Sequence, residues 1–110
     1  MSNKCPCMIQ CPLSDAVEMI SGKWKIRIIC ALYQDGTTRY NELKRKIPEI
    51  TNTMLASSLK ELEFDGLIRR EQYEEMPVRV EYTVTDKCAG LIPILNDLAK
   101  WGIKLRNENK

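Results

Sequence analysis

Five cysteines and no histidine bound the chemistry that this chain of 110 residues can attempt. Cys5, Cys7 and Cys11 form a C-x-C-x3-C group near the N-terminus, and Cys30 and Cys88 stand apart. That triplet is not a common zinc spacing. Without histidine a fourth ligand must be another cysteine, a carboxylate or a partner chain, so no metal is expected. Cys11 precedes Pro12 at the start of a helical pattern, where unpaired N–H groups and the helix dipole favour a thiolate. A partly exposed thiolate there reacts with oxidants, aldehydes or quinones. The competing reading is an unreactive N-terminal thiol. If Cys11 reacts, Cys5 and Cys7 are candidate resolving thiols, within one chain or across a dimer. Cys30 lies in an apolar helical run and is expected in the core. Cys88, near the start of the last helix, is expected in the core or at a dimer contact. Catalysis finds no support: there is no histidine base, no glycine-rich phosphate loop and no set of carboxylates converging by spacing. The chain is therefore read as a non-enzyme without a cofactor.

The net charge of +2 says little, but its distribution says more. Lys23, Lys25 and Arg27 fall in a stretch without acids, and Arg39, Lys44, Arg45 and Lys46 cluster against Glu42 alone. Glu71, Glu74, Glu75 and Glu81 then outnumber Arg79. Basic stretches on a nearly neutral domain suit phosphate contact; each taken alone also fits a solvated helix face. No run approaches the roughly 18 apolar residues of a membrane span. The first residues lack the apolar core of a secretion signal. A cytosolic chain is expected, and an odd number of cysteines there argues against a disulfide framework.

The elements that must position these groups follow from apolar periodicity. Residues 1–10 read as a loose arm, and residues 11–110 as one domain without linker or internal repeat. Leu13, Ala16, Val17 and Ile20 make one face of a helix that Pro12 opens and Ser21-Gly22 ends. A second, central helix runs from about Lys23 to Gln34, with Trp24, Ile28 and Leu32 in a stripe. Thr37 to Tyr40 can form a very short strand. Asn41 to Ile47 reads as a short helix with Leu43 and Ile47 inward, stopped by Pro48. Thr51 caps the next helix, whose inward stripe is Leu55, Leu59 and Leu62 and whose stop is Gly66. Helix, short break and helix over residues 40–65 is the outline of a helix-turn-helix. Two strand-like runs over residues 67–85 flank Glu74-Glu75-Met76-Pro77, and Val78, Val80, Tyr82 and Val84 alternate to one face. A hairpin in that place is a wing. Residues 86–107 read as a long last helix that Pro93 kinks or truly starts. Leu91, Leu95, Leu98, Gly102 and Leu105 fall near a seven-residue repeat. That surface is too broad for one small domain to cover, and Trp24 and Trp101 read as packing anchors. The fold class is mainly α with a small β-hairpin wing, a winged helix-turn-helix.

Cys11-Pro12, Gly22-Lys23-Trp24-Lys25 and Tyr40-Asn41-Glu42-Leu43 open a series of motifs. The series continues through Leu59-Lys60-Glu61-Leu62-Glu63-Phe64-Asp65-Gly66-Leu67-Ile68 to Val80-Glu81-Tyr82 and Trp101-Gly102. In this order and spacing the chain resembles the HxlR-type winged helix regulators, distant relatives of the MarR type. The resemblance implies a homodimer that binds double-stranded DNA, held by its first and last helices. Leu13, Val17, Leu91, Leu95, Leu98, Trp101, Gly102 and Leu105 are then interface candidates. It also implies repressors or activators, some sensing electrophiles or oxidants through a cysteine near the first helix, here Cys11. A small-molecule or oxidant effector is thus a candidate partner.

The second helix of such a motif lies in the major groove, with its N-terminal residues at base edges. Thr51, Asn52, Thr53, Ala56, Ser57 and Lys60 stay on or near the outward face. Asn52 can pair with adenine, Thr53 can touch a thymine methyl, and Ser57 can bond a base or phosphate. The family more often carries a basic residue at Thr53 and larger polar ones near Ser57 and Ser58. Affinity here is therefore expected to lean on Arg39, Lys44, Arg45 and Lys46. Arg79 is the wing's candidate contact, or else pairs with Glu81 or Glu75 at the surface. The alternative function is a winged helix that binds proteins and not DNA, a reading the acidic wing leaves open.

Overall fold

The computed structural model describes residues 11–108, so the expected arm with Cys5 and Cys7 lies outside the described residues. Pro12 starts helix α1 (Pro12–Ile20), where its fixed φ suits a first turn and its missing N–H costs nothing. Cys11 is the N-cap, its Sγ accepting the Ser14 N–H at 3.5 Å. The expected partial exposure of Cys11 is not found: the residue is 5% exposed. None of α1 is buried, and its apolar Leu13 and Val17 remain exposed.

Helix α2 (Lys25–Asp35) begins two residues later than its pattern suggested, with Trp24 as N-cap. Trp24, Ile28 and Leu32 are buried as expected, together with Ile29. Lys23 Nζ and the Arg27 guanidinium lie 4.8 and 5.1 Å from the Trp24 ring centroid, which gives part of the first basic run a packing role. Cys30 corrects an expectation, being exposed rather than core. It sits about 200° around the helix from Ile28, at 3.6 residues per turn, so it points away from the buried stripe. The helix ends at Gly36, whose φ of 75° is left-handed and whose N–H donates to the Leu32 carbonyl at 2.9 Å.

Strand β1 (Thr38–Arg39) leads into α3 (Tyr40–Lys46), and a turn that buries Ile47 and Ile50 connects to α4 (Asn52–Phe64). Thr51 Oγ1 accepts the Met54 N–H at 3.1 Å, as a threonine N-cap should. Replacing Thr51 with alanine is expected to cost about 1 kcal/mol, measurable by urea denaturation; an unchanged midpoint would show that another group caps α4. At the other end the Leu67 N–H reaches back to the Leu62 carbonyl at 2.9 Å and the Gly66 N–H to that of Glu63 at 3.0 Å. Gly66 holds the left-handed φ of 78° that this closure needs.

The hairpin of β2 (Ile68–Tyr73) and β3 (Arg79–Val84) runs from Ile68 opposite Val84 to Tyr73 opposite Arg79. Strand β1 adds to its other edge, Thr38 opposite Tyr82, in the antiparallel order β1-β3-β2. Val80, Tyr82 and Val84 turn toward α2 and α4 and close the core. Leu43, Leu55, Leu59 and Leu62 are buried there as the spacing predicts.

The expected helix over residues 86–107 is two helices, α5 (Asp86–Ala89) and α6 (Ile92–Glu108). Pro93 supplies the reason: it offers no N–H, and its ring clashes with the carbonyl four residues earlier, that of Ala89. The chain therefore breaks at Gly90-Leu91 and restarts with Pro93 in the first turn. The start of α5 is tied to the end of α4. Thr85 Oγ1 lies 2.7 Å from the Gly66 carbonyl and 3.2 Å from that of Leu67. Lys87 Nζ donates to the Asp65 carbonyl at 2.7 Å. Cys88 is fully buried between these elements, within the core. No helix of the described residues is long and apolar enough to cross a membrane.

Candidate nucleic-acid interface

The outward side of α4 starts with good local reasons to be polar and open. Its core stripe uses Leu55, Leu59 and Leu62, with Ser58 also buried, and this leaves Asn52, Thr53, Ala56, Ser57 and Lys60 exposed beside the cap Thr51. All the groups expected on the outward face are there. In front of them stands α3, whose last turn carries Lys44, Arg45 and Lys46, where positive charge suits the C-terminal end of the helix dipole. Its first turn is held by Glu42, whose Oε1 accepts the Arg39 N–H at 3.3 Å.

The basic candidates do not form one patch. Arg39, Arg45 and Arg79 line a single cleft between α3 and the wing, with Pro77 and Val80 in its wall. Lys46 shares a second depression with Arg45 and is ion-paired there with Asp35. Lys60 stands on α4 beside Ala56 and Ser57. Lys25 is bridged to Glu61 at 2.7 Å and Arg27 to Glu49 at 3.0 Å. The Arg27 contact, a hydrogen bond first and a charge attraction second, holds the Glu49 carboxyl below its ordinary pKa. Among the described residues, Arg39, Lys44, Arg45 and Lys60 make no ion pair, so their charge is available to an external anion.

Arg79 is already engaged. Its guanidinium lies 3.2 Å from a Glu75 oxygen and 3.2 Å from a Glu81 oxygen, and 4.2 Å from the Tyr73 ring centroid. The Glu81 approach at Nε is charge proximity without the alignment of a hydrogen bond. These carboxylates neutralise Arg79 where it sits.

Two features of this surface have no counterpart among the sequence-derived candidates. Arg70 on β2 faces the same depression as Tyr40, Ala56 and Lys60, bringing another cation beside α4; the signal was the basic pair Arg69-Arg70 directly after Ile68. The hydroxyl of Tyr40 donates to Asn52, joining the first residues of α3 and α4. Nothing in the spacing announces that contact.

The second surface of interest is apolar. In α6 only Ile92 is buried; Ile94, Leu98, Trp101, Ile103 and Leu105 are exposed, Trp101 by 59%. Gly102 is exposed among them. Leu91 and Leu95, also expected at a dimer contact, are half-buried against the chain's own core. Leu13 and Val17 on α1 are exposed as well, so among the described residues both helices carry large apolar side chains without cover.

The thiols differ in environment. Although Cys30 is exposed as a residue, the protein atoms around its thiol partly desolvate it and raise its pKa, and burial first and Cys30 second raise that of Cys88. Both are therefore poor sources of thiolate. Cys11 sits at the N-cap of α1, where its sulfur faces an N–H donor.

A three-helix core carrying a helix, a turn, a second helix and a hairpin is a winged helix-turn-helix, the class of many transcriptional regulators. Residues 19–110 match the HxlR-like helix-turn-helix family, and the chain belongs to it. The HTH-type transcriptional regulator BH0655 of Halalkalibacterium halodurans is 48% identical over 97 residues, which cover 88% of this chain and 86% of that one. Among solved structures, the redox regulator HypR in its oxidised form is 39% identical with a TM-score of 0.78, covering 86% of this chain and 96% of HypR. The reduced form of the transcriptional regulator YodB from B. subtilis is 36% identical with a TM-score of 0.75, covering 83% and 89% respectively. The chain is a winged-helix transcriptional regulator by family.

Proposed function

We propose that this chain regulates transcription by binding specific duplex DNA as a homodimer, with α4 in the major groove and α1 and α6 at the contact between copies. The observation that carries the reading is the exposed polar face of α4, Asn52 to Lys60, beside the cations Arg39, Lys44 and Arg45 that make no ion pair among the described residues. Phosphates fix the register of such a helix, and its N-terminal side chains read base edges. Two copies reading half-sites about one helical turn apart multiply the discrimination of each.

Fluorescence anisotropy on the duplex upstream of its own gene, titrated with salt, tests this. If Arg39, Lys44, Arg45 and Lys60 of both copies each displace one counterion, log K falls with log salt at a slope of about −7. Arg45→Ala should flatten that slope by about 2, one for each copy. A dimer that binds no duplex even at low salt overturns the reading and favours a protein-binding winged helix, with the exposed Phe64 and Met76 as its first candidates.

We propose further that DNA binding responds to oxidants through Cys11. The support is its N-cap position, the raised pKa values of Cys30 and Cys88, and the likeness to HypR, a protein described as a redox regulator. When the start of α1 opens and uncovers the buried Cys11 sulfur, its thiolate attacks one oxygen of hydrogen peroxide: the S–O bond of a sulfenic acid forms, the O–O bond breaks, and the leaving hydroxide takes up the proton the thiol released, giving water. Hydrogen peroxide should change the operator affinity of the wild type about tenfold or more, a shift of at least 1.4 kcal/mol. Cys11→Ser should not respond. An identical response in both removes Cys11 from the mechanism.

A further inference from the structure

Tyr40 opens α3 half-buried, its ring packed on the core beside Tyr82. Its hydroxyl lies 3.3 Å from the carbonyl oxygen of Asn52 and 3.4 Å from that residue's Oδ1. Both distances are long for an O–H donor, as when one proton is shared between two acceptors. The two acceptors belong to the same residue, the first of α4 and the foremost polar side chain of the exposed face. Burial first, and the nearby Tyr82 second, raise the pKa of the Tyr40 hydroxyl, which keeps it a donor.

An asparagine reads adenine by using both ends of its amide, Oδ1 accepting from N6–H and Nδ2 donating to N7. In this chain Oδ1 is drawn toward Tyr40. The amide plane is thereby set, and Nδ2 is the end left to face outward. A group that offers only donors is best matched by the paired acceptors O6 and N7 of guanine, whereas adenine offers it N7 alone. We infer that Tyr40 is a positioning residue that sets the base preference of Asn52, favouring guanine over adenine at one position in each half-site. This rests on the DNA-binding reading above.

The test selects duplexes from a random pool with the wild type, Tyr40→Phe, Asn52→Ala and the double variant. Affinities are then measured on the wild-type-selected duplex and on a random-sequence duplex of equal length. Tyr40→Phe keeps the ring and removes only the hydroxyl. Its affinity for the selected duplex should fall about threefold per copy, the scale of one weak hydrogen bond. Its affinity for the random duplex should not change, because phosphate contacts are untouched. One position per half-site should shift from guanine toward adenine, and in the Asn52→Ala background Tyr40→Phe should shift nothing.

A base preference identical in the wild type and Tyr40→Phe overturns the inference. So does a shift that survives Asn52→Ala. If Tyr40→Phe does not fold, Tyr40→Leu, which keeps an apolar side chain and lacks the hydroxyl, takes its place: a shift from guanine toward adenine supports the inference, and an unchanged preference overturns it. A wild type that selects no sequence is a failure of the DNA-binding reading itself, seen before any variant is made.

Discussion

Replacing Leu98 and Trp101 together with glutamate is expected to leave a folded monomer. Both side chains are more than half exposed in the single chain, so their loss removes little from its own core. In a dimer closed by α6 they would be buried. Hiding one such side chain contributes about 1.5–3 kcal/mol, and a carboxylate forced into the same place costs several more. The dimer dissociation constant should rise at least a thousandfold, or about 4 kcal/mol. Sedimentation would read the mass, and circular dichroism would confirm unchanged helix content. Operator affinity should fall with the mass, because a monomer holds only one half-site. A double variant that sediments as a dimer would place the contact elsewhere and leave the apolar face of α6 unexplained.

Leu62→Ala is expected to weaken the fold by about 3 kcal/mol, the usual cost of emptying a fully buried leucine site. The side chain has no exposure, and its carbonyl receives the Leu67 N–H that ends α4. A small domain is stable by about 5–15 kcal/mol, so the loss is a large share of the total. Phe64→Ala, two residues on, removes a larger side chain that is 90% exposed. It should change stability by no more than about 0.5 kcal/mol. Urea denaturation of both, at one protein concentration, separates the cases; equal losses would mean that Phe64 is covered in solution.

The features most legible from residue spacing were those in which a side chain answers to its own element. Leu55, Leu59 and Leu62 repeat at helical intervals, and each is buried. Thr51 caps the helix it precedes, Gly66 closes it, and Val80, Tyr82 and Val84 share the inner face of the wing. Pro93 marks a disturbance in the pattern, and its missing N–H and its ring account for the full separation of α5 from α6. What periodicity does not carry is the identity of the surface opposite. Cys30 shares a helix with Ile28 and Ile29 yet points away from their partners, and Cys11 is buried where an open cap was expected.

Charge was harder still. Lys46 looks equivalent to Arg45 as a cation, and only the fold brings Asp35 against it. The pairing of Arg79 with Glu75 or Glu81 was one of the two readings its neighbours allowed, and both pairs form. The Tyr40 contact spans twelve positions and two helices, a separation at which composition and pattern carry no signal.

The tie between the end of α4 and the start of α5 has a mechanical consequence. Thr85 and Lys87 hold the carbonyls of Asp65, Gly66 and Leu67, so whatever turns the C-terminal helices turns the butt of α4 with them. With 13 residues α4 is a lever about 20 Å long. Pivoting it by about 10° at Gly66 swings Asn52 through about 3.5 Å, more than the reach of one hydrogen bond. A change too small to disturb the core at one end is thus large enough at the other to move a polar side chain out of register with whatever it contacts.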